Sequence, residues 1–365
     1  MHVIKYLKEH GISKLQEELS IKVRNYDNGL MVLNYHQLNS PSSHPIVKEC
    51  RSLILDKDFN VVSRSFDRFF NLNEKPDSIF KEFSQDMDLY EKLDGSIINI
   101  YNYENLWNIG TKSAAFGEFS TINSNKTFKD LVIEALKLND NEFQDKFNNL
   151  FNKNYTYICE FTGKENKVVK EYSSNKLNIL AIRCNKTGNY IKEENLFNKL
   201  KTININKPKK YKLNSLEDIN SNLKTLKGFD EGFVLYKNGC PVAKIKTLAY
   251  VTLSLMKGEH GFTKQNLAKI VISGESSEFI TYFPEHKNVI EDFENKLKDI
   301  KSNLVLTWDL VRKINDKADF AKSIIEQKQN IKSVLFAAKK ANVEDIVSYF
   351  ENNIKTDLLV QLIIN

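Results

Sequence analysis

Lys92 stands two residues before Asp94 and three before Gly95, inside the stretch YEKLDGSIINIY. A lysine amine is nucleophilic near neutral pH only when desolvation or neighbouring cations lower its pKa. Alone, K-x-D-G reads equally well as a surface charge at a hairpin bend, because Asp-Gly is a favoured turn dipeptide. Four other stretches put charge in awkward places. Glu160 interrupts the apolar run YICEFTG, and Asp230, Glu231 and Gly232 open the strand-like DEGFVLYKNG. Lys244 and Lys246 alternate within PVAKIK, so they share one strand face. Arg51 immediately precedes the apolar SLILD. Each has a plain reading as well: a wet sheet face for Glu160, a simple turn for the acidic pair, edge-strand lysines that deter aggregation, and a surface charge for Arg51. Together they form an inventory suited to attack on a nucleoside triphosphate. One lysine supplies the nucleophile, and two carboxylates suit a hard divalent metal. The remaining cations suit charge developing on phosphates. Gly95 and Gly232 allow backbone to approach a ligand closely.

The elements that must carry these residues are legible in outline. Before residue 250, LMVLNYH, SLILD, NVVSRSF, SIINIYNY, YTYICEF, LNILAIRC, GFVLYKN and PVAKIK all read as strands. Residues 127–152 hold two helical patterns, with Phe143, Phe147, Leu150 and Phe151 at i, i+4, i+7 and i+8. That stripe reads as core and not as a base-stacking platform. SLEDINSNLKTLK reads as a further helix, with Ser215 as its cap and Glu217 in its first turn. After residue 250 the strand patterns stop. FTKQNLAKIVIS, HKNVIEDFENKLKDIKSNLVLTWDLVRKIND, ADFAKSIIEQK and VEDIVSYFENNI carry helical periodicity, and Gly258, Gly261, Gly274 and Pro284 punctuate the start of the region. The expectation is an α+β domain over residues 1–254 and a small all-α domain over residues 255–365.

Composition narrows the class. The 365 residues are 41% hydrophobic and 27% charged, a globular profile with room for two domains. A net charge of +6 fits a polyanionic partner without requiring one. Cys50, Cys159, Cys184 and Cys240 are far apart and form no C-x-x-C, which argues against a zinc knuckle or disulfide framework and for reduced thiols. No window is apolar for 18 residues and the N-terminus lacks an apolar signal stretch, so a membrane or secretory destination is not expected.

The order K-x-D-G, E-F, E-G, K-x-K resembles the covalent nucleotidyltransferase superfamily of ATP-dependent ligases and mRNA-capping enzymes. Within it, ECRSLILD, RFFNLNEKP, EKLDGSIINIY, CEFTGKENKVV, LNILAIR, DEGFVLYKNG and KIKTLAYVTL, over residues 48–255, resemble the bacteriophage RNA ligase 1 family, the tRNA-repair ligases of T-even phages. The resemblance implies an ATP-grasp-like nucleotidyltransferase domain of antiparallel sheets with flanking helices. It implies that Lys92 takes AMP from ATP, with Glu91, Asp94, Gly95 and Ser96 completing its motif around the nucleotide. Arg51 then matches the upstream arginine at the triphosphate or AMP phosphate. Glu160 matches a carboxylate serving nucleoside and metal, and Glu231 a metal carboxylate. Lys244 and Lys246 match the two lysines of the last motif, and Lys112 and Tyr250 match further nucleotide-site positions. Arg68 stands where a lysine is common, Ser52 where glycine is common, and Leu93 where an acidic residue was expected.

The implied reaction is a three-step ligation with ATP and Mg²⁺ or Mn²⁺. AMP moves to Lys92, then to an RNA 5′-phosphate, and a 3′-hydroxyl then displaces it. Implied partners are single-stranded RNA ends or a tRNA anticodon loop, and a polynucleotide kinase-phosphatase that prepares the ends. The expected state is a monomer in the cytoplasm, or in an infected host cell if phage-encoded. A DNA ligase or capping-type enzyme would carry a β-rich OB-fold after the K-x-K lysines, where this chain reads as helical. A non-catalytic RNA-binding protein of the same fold is the other alternative, although it has no need of Lys92. Lys264, Lys269, Lys298, Lys301 and Lys313 in the helical region read either as phosphate contacts or as ordinary solvated helix faces.

Overall fold

The computed structural model describes residues 1–75, 78–121, 124–192, 194–227, 229–255, 262–325 and 329–364. Gly258 and Gly261 lie outside them. The chain divides into two compact units, Met1–Ser254 and Leu255–Asn365.

The first unit is built on three sheets. A four-stranded antiparallel sheet joins Ile21–Asn25, Met31–Tyr35, Arg51–Leu55 and Val61–Arg64. The helix His2–Leu19 covers it, kinked at Gly11, and Val3, Leu7, Leu15 and Leu19 bury against Ile21, Leu33, Leu53 and Leu55. The sequence reading gave this helix no place. Its apolar residues are thinly spread, and the kink breaks the period that would have marked it.

A five-stranded sheet follows the order Ile205–Asn206, Lys176–Cys184, Tyr155–Thr162, Ser96–Tyr103, Leu106–Thr111. The helices Phe128–Leu136 and Asp140–Leu150 pack on it. Each begins with a reciprocal capping box, Thr127 with Asp130 and Asn139 with Glu142, which satisfies backbone donors that would otherwise be orphaned. Phe143, Phe147 and Phe151 bury against Trp107 and Tyr157, so the aromatic stripe is core, as expected. Removing a ring of this kind costs about 3–5 kcal/mol.

The third sheet runs Lys210–Tyr211, Met87–Lys92, Gly232–Lys237, Cys240–Lys246, Phe70–Asn71. Its hydrophobic face buries Leu89, Phe233, Leu235 and Ile245 beneath Ile219 of the helix Glu217–Leu223. Ser215 is not the cap of that helix. Leu216 occupies the cap position with no side-chain hydrogen bond. The Ser215 hydroxyl bonds instead to the Glu217 carboxylate and holds its pKa below the ordinary value.

The second unit is helical throughout its described residues, from Lys264–Ser273 to Thr356–Ile364. The long helix Lys287–Val311 buries Ile290, Phe293, Leu297, Leu304 and Trp308. Lys301, one of the lysines considered for phosphate contact, lies 2.6 Å from Glu351. Among the described residues, no helix is long and apolar enough to cross a membrane.

Candidate active site

Strand register brings the distant motifs together. Gly232 lies directly between Lys92 on one neighbouring strand and Lys246 on the other. Val234, two residues on, lies between Tyr90 and Lys244. One sheet face therefore presents Lys92, Val234, Lys244 and Lys246 to a cavity of about 270 Å³. The second sheet contributes Ile97, Glu160 and Leu180 to its lining, and the four-stranded sheet contributes Tyr35 and Arg51. Two glycines make these approaches possible. A Cβ on Gly95 would fall 2.2 Å from the Phe161 carbonyl oxygen, so only glycine lets the turn after Lys92 press onto the Glu160 strand. Gly232 adopts φ +141°, and a Cβ there would meet the Ile245 oxygen at 2.0 Å.

The Lys92 amine lies 2.8 Å from Glu231 Oε2, and the Lys246 amine is 3.8 Å from Oε1. Glu231 is 5% exposed, so this buried carboxylate meets two lysines of the pocket. Burial pushes the Glu160 carboxyl up to about 7, against the opposing pull of Lys92.

Arg51 reaches the pocket through a bulge. Asn34 pairs with Arg51 and Leu33 with Leu53, which leaves Ser52 as an extra residue. Ser52 takes φ +56°, the left-handed region that glycine adopts without strain. Three hydrogen bonds hold it there. Its N–H donates to Asn34 Oδ1 at 2.8 Å and its hydroxyl to the Thr111 carbonyl at 2.9 Å. Asn99 Nδ2 donates to its Oγ at 2.9 Å. The guanidinium of Arg51 lies 5.2 Å from the Phe69 ring centroid, and its Nη1 is buried with no hydrogen-bond partner. A buried guanidinium N–H left without an acceptor beside a cavity is costly unless a ligand oxygen meets it.

Of the other residues expected at the nucleotide, Glu91 lines the pocket, whereas Asp94, Ser96, Tyr250, Lys112 and Arg68 do not. Asp94 is 2% exposed and braces a neighbouring segment. Its carboxylate accepts from the N–H groups of Val169 at 2.7 Å and Lys170 at 2.5 Å, and from the Tyr250 hydroxyl at 2.7 Å. The Ser96 hydroxyl donates to Asn166 Oδ1 at 3.0 Å. Arg68 stacks on Tyr35, with its guanidinium 4.2 Å from the ring centroid, and the Lys112 amine is 5.7 Å from the same ring.

Tyr35 was not singled out in the sequence. Burial acts to raise its phenol, yet Arg51, Lys112, Arg68 and Lys244 together hold it below the usual tyrosine range. Lys170 and Tyr172 were also missed. The Lys170 amine contacts Asp230 at 2.6 Å and Glu91 at 3.8 Å, which ties the strand that ends at Lys92 to the segment carrying Glu231 just before Gly232. The Tyr172 oxygen accepts from the Asp94 N–H at 3.2 Å. A tyrosine in VLNYH or a lysine in KVVKEY carries no local signal; the fold alone gives these residues their places.

Among the described residues, no three metal-ligating side chains form a cage. Glu160 and Glu231 nevertheless offer hard oxygens on the walls of one pocket. That donor set suits a cation which takes its remaining ligands from phosphate and water, as Mg²⁺ does.

A family model described as RNA ligase matches residues 49–251, more than half of the chain. The chain is 37% identical over 308 residues to an Autographa californica nuclear polyhedrosis virus protein named for two activities, polynucleotide kinase and RNA ligase; the match covers 80% of this chain and 43% of that one. It is 29% identical over 176 residues to a protein of Thermovibrio ammonificans named for RNA ligase activity, covering 46% and 42% of the two chains. It therefore spans less than half the length of these relatives. Among solved structures, an archaeal ATP-dependent RNA ligase aligns with 94% of this chain and 84% of its own, at 12% identity and a TM-score of 0.47. The family match spans every residue that lines the pocket except Tyr35, and the chain belongs to the RNA ligase family typified by the phage RNA ligase 1 enzymes.

Proposed function

We propose that this chain is an ATP-dependent RNA ligase that joins 3′-hydroxyl and 5′-phosphate ends through AMP carried on Lys92. The observation that carries this reading is the Lys92 amine, 2.8 Å from a buried carboxylate, in a pocket where Arg51 keeps an unpaired Nη1. The amine attacks the α-phosphorus of ATP. The N–P bond forms as the bond to pyrophosphate breaks, and Glu231 is the acceptor nearest the proton the amine must lose. Arg51, Lys244 and Lys246 neutralise the phosphate oxygens, and Tyr35 sits among the cations Arg51, Arg68 and Lys112 at the pocket wall. Glu160 and Glu231 would hold the metal, which supplies further charge neutralisation at the phosphates when bound. AMP then passes to the RNA 5′-phosphate, and the 3′-hydroxyl displaces it. Positioning and electrostatics carry each step, so no acid–base triad is required.

Breaks in tRNA anticodon loops are the substrate we infer, because they present unpaired ends. The 3′-hydroxyl and 5′-phosphate must be prepared by a polynucleotide kinase-phosphatase, and one viral relative is named for kinase and ligase in a single polypeptide. Matched RNA and DNA oligonucleotides, single-stranded and nicked, test the reading with ATP present. RNA ends are expected to join, with an adenylylated RNA intermediate visible at early times. Equal joining of DNA, or no joining of either, would count against it.

A further inference from the structure

A second cavity lies beside the nucleotide pocket on the same face of the same sheet. Asp88, Tyr90 and Lys92 share that face. Lys92 lines the nucleotide pocket, whereas Asp88 and Tyr90 line a cavity of about 180 Å³. Leu180 and Tyr236 line both and form the partition. Four rings wall the second cavity: Tyr90, Tyr190, Phe197 and Tyr236. Tyr90 and Tyr236 meet edge to face, with centroids 5.4 Å apart.

The mouth of this cavity is basic. Lys192 and Lys207 line it and are exposed. Lys207 begins the run KPKKYK, in which Lys207, Lys209, Lys210 and Lys212 are all exposed. The Lys207 amine lies 3.7 Å from the Phe197 ring centroid. Lys210 is partly compensated by Asp88 at 2.7 Å. The Lys209 carbonyl accepts from the Glu91 N–H at 2.8 Å, so the run is fastened to the strand that ends at Lys92.

We propose that this cavity takes an unpaired nucleobase of the RNA strand while the lysine run holds the adjoining phosphates. Aromatic walls and a cationic track are the two parts single-stranded nucleic acid requires, and a ring stacks on any base. A base beside Tyr90 lies two strand residues, about 7 Å, from Lys92, which leads the strand toward the adenylylated lysine. The proposal rests on the ligase reading of the neighbouring pocket.

The test uses the full chain, as wild type, as Phe197→Ala, and as Lys207→Glu combined with Lys209→Glu and Lys212→Glu. Labelling of Lys92 by α-labelled ATP serves as the fold control and is expected to be equal in all three. Fluorescent 5′-phosphorylated RNA is then titrated, intact or with one abasic nucleotide moved along it. At one position the abasic RNA is expected to bind wild type about tenfold more weakly. Phe197→Ala should lose a similar factor with intact RNA and nothing more with that abasic RNA. The triple variant should flatten the log–log salt dependence by about 0.7 per lysine. Wild-type RNA affinity and salt slope in both variants would overturn the proposal. Displacement of the RNA by free AMP from wild type but not from Phe197→Ala would instead mark a free-nucleotide site. Absent label on wild type would sink the ligase reading alone, since the RNA titration still reads the cavity.

Discussion

Lys92 pairs with the buried carboxylate of Glu231 at 2.8 Å, and Lys246 at 3.8 Å sets a second cation beside it, so removing Lys92 weakens the compensation of Glu231. Glu160 is the residue with the clearest consequence for pH. Its carboxyl is raised from 4.5 to about 7, so between those values the folded chain holds a proton that the unfolded chain has released. Its contribution therefore lowers stability as pH rises from about 4.5 to 7. Glu160→Gln is expected to remove that slope, which thermal unfolding across the range measures; an unchanged slope would show that Glu160 titrates normally. The backbone at Ser52 yields a second expectation. Glycine relieves the left-handed strain, of order 1 kcal/mol, but loses the hydroxyl's two hydrogen bonds, each about 1 kcal/mol. Ser52→Gly should therefore shift stability by no more than about 1 kcal/mol and retain lysine adenylylation, whereas Ser52→Val should lose both, as denaturant unfolding and ATP labelling can report.

At the scale of elements, the site is a matter of register and of two close crossings. Gly95→Ala drives a Cβ into the Phe161 carbonyl. It should destabilise the fold by about 1–3 kcal/mol and abolish labelling of Lys92, so full activity would contradict the packing described. Asp94→Asn weakens the charge-assisted acceptor for Val169, Lys170 and Tyr250. The Val169 and Lys170 amides should then exchange hydrogen at least tenfold faster, and unaltered protection would remove Asp94 from its bracing role. Asp94 and Ser96 were legible because the Lys92 motif is local; what the sequence did not show is that Asp94 also accepts from Val169, Lys170 and Tyr250 and that Ser96 donates to Asn166. The eight strands read from alternation and apolar runs all form, because their patterns are continuous. The short edge strands Phe70–Asn71, Ile205–Asn206 and Lys210–Tyr211 were invisible. Two residues cannot establish a period, and their pairing is decided by the neighbouring strand. Tyr35, Lys170 and Tyr172 were invisible for the same reason: their partners are distant in sequence.

At the scale of the molecule, the chain divides at Ser254 and Leu255 into a sheet-rich unit and a helical one. Every residue lining the pocket around Lys92 belongs to the first. We therefore expect a chain ended after Ser254 to form lysyl-AMP; a shortened chain that folds yet takes no label would assign the second unit a part in adenylylation itself. The most direct measurement of Lys92 as the AMP carrier is incubation of the full chain with α-labelled ATP and Mg²⁺, followed by a denaturing gel. An acid-labile label is expected on the wild-type chain and none on Lys92→Ala. Equal labelling of Lys92→Ala, or no label on the wild type, would contradict it.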